Sequence, residues 1–115
     1  MNYKIYDIAG EYATDADSGQ RLYDLIHPQL RDGNTVGLDF SEVNVFASAF
    51  FNFAIGQLLK DISSDQLNKQ LKITHLSPNG LTILKRVIDN AKDYYSDAHY
   101  QQAVETVLEE YAASF

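Results

Sequence analysis

The chain has 115 residues, a hydrophobic content of 45%, a formal charge of −7 and no cysteine. A single domain of this size buries a core without covalent staples, and the missing thiols exclude disulfides, thiolate chemistry and cysteine-ligated metal. No run approaches the roughly 18 to 20 apolar residues of a membrane span, and nine scattered basic residues argue against nucleic acid or an anionic membrane as partner.

The opening MNYKIYDIAG lacks the basic-then-apolar order of a secretory signal, so a cytoplasmic location is expected. Tyr3 to Ile8 alternates and is rich in β-formers, which predicts a first strand. A weak further strand could hide near Glu11 to Thr14, which leaves the strand count open. Asp15 to Ser18 offers cap oxygens, and Leu22, Leu25, Ile26 and Leu30 then recur at helical spacing. Pro28 is expected to kink or end that helix, because it has no amide for the carbonyl four residues earlier. Arg31 to Asn34 follows as a turn.

Val36 to Phe40 is a short apolar run of the kind buried in a parallel sheet. A loop from Ser41 to Asn44 leads to a helix predicted from about Ala47 to Ile62. Ala47, Phe50, Phe51, Ala54, Ile55, Leu58, Leu59 and Ile62 make its broad apolar face. Leu71 to Leu76 reads as another strand. Ser77 then caps a helix with Pro78 at its first position and Leu81, Leu84, Val87, Ile88 and Ala91 on its apolar side. A last helix is predicted from near Asp97, carrying Tyr100, Ala103, Val104, Val107, Leu108 and Tyr111. The alternation implies an α/β domain with a small, mainly parallel or mixed sheet of three to four strands and about four helices.

The segment VGLDFSEVNVFASAFFNFAIGQLL resembles STAS domains, the fold of anti-sigma-factor antagonists and sulphate-transporter tails. It is most similar to the bacterial STAS-like domain family of unknown function. Asp39, Phe40, Ser41 and Val43 match the strand and loop, Ser48 the first serine of the antagonists' Asp-Ser-Ser-Gly turn, and Gly56 a later glycine. Residues 36–76, about a third of the chain, carry the resemblance. It implies one STAS-like domain over 1–115, with 97–115 a C-terminal helical extension. It also implies a regulatory module that binds another protein, such as an ATPase-fold kinase or signalling protein, through its turn and helix. Two departures stand out. The antagonists' phosphorylated serine falls on Ala49, which leaves Ser48, one residue away, as the candidate phosphorylation site. Where the STAS-like family often has glutamate, this chain has Phe53.

The expected partner surface comprises Asn44, Phe46, Ser48, Ala49, Asn52, Phe53 and Gln57. Phe53 is its anchor, since a ring on a polar helix face suits an interface hot spot; the plainer reading buries it beneath the C-terminal helix or in a homodimer contact. Asp39 reads as a carboxylate that organises its loop, and Ser48 equally as a helix N-cap. Asp39, Ser48 and His75 could gather at strand ends, yet no Gly-x-Ser-x-Gly turn surrounds Ser48, so no enzyme is expected. His27, His75 and His99 lack metal spacing, and neither metal nor cofactor is expected. Two other readings stand beside the first: an acidic inhibitor or antitoxin-like protein acting by charge mimicry, and a structural homodimer subunit.

Overall fold

The computed structural model describes residues 1–98, with side chains through residue 95. Strand β1 (Asn2–Lys4) runs straight into a short helix α1 (Ile5–Ala9). The predicted strand therefore stops at Lys4, because Ile5 turns inward to full burial and Ile8, one turn on, packs against the same core. The weak strand is present as β2 (Tyr12–Ala13). Helix α2 (Ala16–Arg31) is capped by Asp15, whose carboxylate accepts from the Ser18 amide at 2.9 Å. Pro28 does not end α2: the helix runs on to Arg31. A proline forfeits one amide, and here that loss falls in the final turn, where the Asp32 and Gly33 amides still close on Pro28 and Leu30.

Strand β3 (Val36–Asp39) is followed by β4 (Val45–Phe46), helix α3 (Ser48–Ala54) and a 3₁₀ turn at Gly56–Lys60. The long helix predicted from Ala47 is thus broken at Ile55. Gly56 explains the break, being a weak helix former wedged beneath Val87 and Ala91 of the last helix. The predicted apolar face is nonetheless correct in its main members: Phe50, Phe51, Ala54, Ile55, Leu58 and Ile62 are buried. Helix α4 (Ser64–Gln70) was not expected. It contributes mainly Leu67 to the core, too little for a periodicity signal, but Ser63 caps it through the Gln66 amide at 3.1 Å. Strand β5 (Leu71–Thr74) leads to α5 (Pro78–Ala98), capped by Ser77 as expected. α5 runs through Asp97 to Ala98; the rest of the predicted extension lies outside the described residues.

The strands form two parallel sheets, β1-β3-β5 and β2-β4. In the larger one each step moves the same way across the sheet, and right-handed crossovers stepping in one direction place every connection on one face. Burial follows. Val36, Leu38 and Leu71 point into the core, whereas Asn2, Lys4, Gly37, Asp39, Lys72 and Thr74 line an open groove on the other face. The described residues cover the sheet on one side, which differs from the usual parallel sheet, and among them its order β1-β3-β5 does not reverse. The core centres on Phe51, whose ring centroid lies 5.6 to 6.0 Å from those of Phe40, Phe46 and Phe50.

Candidate functional site

Two neighbourhoods emerge where the sequence placed its candidates. The first follows β4 into α3. Because Tyr12 and Val45 are paired in parallel register, their side chains leave the small sheet on one face, and both are exposed. Asn44, Ser48, Ala49 and Asn52 are exposed as expected. Phe53 is 41% exposed and Tyr94, on α5, 71%. Phe53 and Tyr94 border a cleft of roughly 310 Å³ between α3 and α5, with Asn52, Gln57 and Asn90 on its walls. Every lining residue is uncharged, in a chain whose net charge is −7. Gln57 is held in place by its own bonds to Gln20 and to the Phe53 carbonyl.

Two expectations need correction here. Phe46 is 8% exposed and stacks on Phe51, so it belongs to the core; alternation along β4 turns Val45 outward in its place. Ser48 is not the helix N-cap. Ala47 occupies that position without a side-chain bond, and Ser48 opens the helix. Tyr12 was missed. The only sequence signal for it was the weak strand at Glu11 to Thr14, and nothing local says that this strand pairs with β4.

The second neighbourhood lies at the carboxyl ends of β3 and β5. Asp39 Oδ1 accepts from the Ser41 amide at 2.9 Å, the Ser41 hydroxyl at 2.6 Å and His75 Nδ1 at 3.0 Å. The two hydrogen bonds from Ser41, with help from His75, hold the Asp39 carboxyl down to about 2. Two non-glycine residues with positive φ flank this carboxylate, Glu42 at 68° and His75 at 59°, a conformation that L side chains adopt at a cost. Ser48 makes no bond to Asp39 or His75. In a nucleophilic triad the imidazole stands between hydroxyl and carboxylate; here the carboxylate stands between Ser41 and His75, so no hydroxyl proton passes to the ring.

The depressed carboxyl has a pH signature. A lowered folded-state value means that this contribution is fully present above the unfolded value near 4 and is lost as pH falls through about 2. Amide exchange at Ser41 is therefore expected to stay slow from neutral pH down to about 4, once intrinsic rates are divided out, and to accelerate only in stronger acid. Loss of protection between pH 7 and 5 would contradict this account.

The family model described as a STAS-like domain of unknown function (DUF4325) matches residues 18–81, more than half of the chain. The chain belongs to this family. Searches of curated proteins and of solved structures returned no significant match. The matched part of this STAS-like domain runs from the first turn of α2 to the first turn of α5, and so contains Asp39, β4, α3 and His75. β1, Tyr12 and Tyr94 lie outside it. Among its described residues no group of three or more potential metal ligands occurs, and no helix is long and apolar enough to cross a membrane.

Proposed function

We propose that this STAS-like domain is a non-catalytic, cytoplasmic regulatory module that docks a partner protein along β4 and the outer side of α3. The partner class that its resemblance to anti-sigma-factor antagonists suggests is an ATPase-fold kinase or another signalling protein. The observation that carries the reading is Phe53, a large ring left in water on an otherwise polar helix face beside an uncharged cleft. Rigid aromatic anchors flanked by neutral polar groups characterise interface centres. Tyr12 and Val45 add exposed apolar groups on β2 and β4, and Ser48, whose hydroxyl bonds to none of the described residues, is the group there that a kinase would modify. Charge mimicry is less well supported. Along the described chain the acidic residues of α1, α2, α4 and α5 alternate with Arg21, Arg31, Lys69, Lys85 and Arg86.

Affinity capture from the source cells, followed by reconstitution with the purified candidate, tests the surface. Phe53→Asp is expected to weaken the complex by at least about 30-fold, the scale of a hot spot worth 2 kcal/mol. Unchanged affinity would remove this surface from consideration. Sedimentation of the free protein separates the remaining case: a homodimer dissociated by Phe53→Asp would assign the strip to a second copy of the chain.

A further inference from the structure

We propose that His75 is a phosphoryl-acceptor site, in which its exposed Nε2 takes a phosphoryl group from an anionic donor steered by Lys4 and Lys72 on the open face of the sheet. The site is separate from the α3 surface and does not depend on partner docking there.

Three observations support it. First, the proton on the ring is placed. Asp39 is ionised over the whole neutral range, and a carboxylate only accepts, so His75 Nδ1 must carry the hydrogen across the 3.0 Å contact. The neutral ring then has its lone pair on Nε2, and the side chain is 67% exposed. Second, the ring is held there by the backbone. His75 adopts φ of 59° directly after β5, a local cost that persists where surrounding structure holds it. Third, the approach is cationic. Lys4 is in register with Asp39, and Lys72 lies on β5 in register with Gly37. Both line a groove of roughly 350 Å³ with Asp39 and Thr74, next to His75 in the chain. Among the described residues neither lysine has a carboxylate partner, and Lys72 reaches the Asn68 carbonyl there, at 3.4 Å. His27 differs, since its Nε2 is engaged with Asp61 at 3.0 Å.

In the transfer the Nε2 lone pair attacks phosphorus and an N–P bond forms. The bond from phosphorus to the leaving group breaks, and its electron pair departs with that group. The Nδ1 hydrogen stays in place, and the positive charge that develops on the ring is stabilised by the ionised Asp39 beside it. Lys4 and Lys72 meet the negative charge of the incoming group. Asp39 acts here as a positioning residue, because it touches the ring and not the phosphoryl group.

The full-length protein incubated with phosphoramidate, whose leaving group is ammonia, provides the test. Peptide mapping and ³¹P NMR should find an acid-labile, base-stable phosphate on His75, formed at least about tenfold faster than on His27. Asp39→Asn should slow labelling about tenfold, the scale of one lost charge-assisted hydrogen bond, and spread the phosphate over both ring nitrogens in the ³¹P spectrum. Should Asp39→Asn fail to fold, the exposed changes Lys4→Gln and Lys72→Gln serve instead, each slowing labelling several-fold at low ionic strength and not at high. Labelling of His75 no faster than of His27, label on His99 alone, or labelling indifferent to both lysines would overturn the proposal.

Discussion

Replacing Phe51 by alanine is expected to lower stability by about 4 kcal/mol, moving the urea midpoint down by about 2 M. Phe51 is fully buried and its ring lies against three others, Phe40 and Phe46 at 6.0 and 5.9 Å and Phe50 edge-on at 5.6 Å. Truncation removes the transfer energy of one ring and leaves a void among rings that α3, β3 and β4 hold apart. Small domains have about 5 to 15 kcal/mol in all, so the variant is expected to be marginal at 37 °C. Phe53→Ala, two residues on, is the control, because that ring is already 41% exposed; its loss is expected to be about 1 kcal/mol or less. Equal midpoint shifts for the two variants would mean that α3 is rotated relative to the core.

Gly19→Ala pits two effects against each other. Gly19 sits inside α2, where alanine gains about 1 kcal/mol of helix propensity over glycine. Its missing Cβ, however, is where α2 and α3 meet: an added methyl would stand 2.4 Å from the Phe50 carbonyl oxygen and 3.1 Å from Phe53 Cβ. A backbone oxygen within a helix cannot rotate away, so the two helices must separate along their shared, extensive interface. Overpacking of this kind costs about 1 to 3 kcal/mol. With the surrounding strain the net change is expected to be a loss of about 2 kcal/mol, lowering Tm by about 10 °C. A rise in Tm would show that α2 and α3 lie farther apart than described. The same closeness lifts Phe53 onto the surface, since its Cβ rests on the α2 backbone and its ring has nowhere inward to go.

The pH and binding experiments probe separate parts of the molecule. Asp39, Ser41 and His75 hold the loop that delivers Asn44 and Val45 to the α3 strip. A fault in that loop would move the β4 end of the strip and leave the cleft at Tyr94 in place.

Local pattern made a good part of this legible. Caps at Asp15 and Ser77, the apolar spacing in α2, α3 and α5, and the short runs at 36–40 and 71–76 each depend on neighbours within a turn or two, so one-dimensional order suffices to recognise them. The contact of Asp39 with Ser41 is local in the same way: the two lie two residues apart. Breaks and switches were not legible. Ile5 leaves its strand because the core needs it, Gly56 interrupts a helix because α5 crosses there, and α4 forms with one apolar anchor because Ser63 caps it. Phe46 and Val45 exchanged roles because a two-residue strand has no readable phase until β2 pairs with it.

The composition of the chain, its helical stripes and its end caps dictate an α/β domain, because those signals are short-range and need no partner. Which face of the sheet the described helices cover, which ring stays exposed, and which carboxylate meets His75 across 36 residues arise only when strands stepping one way carry every crossover to the same side. Those are long-range outcomes of topology, and they are what set the candidate surfaces.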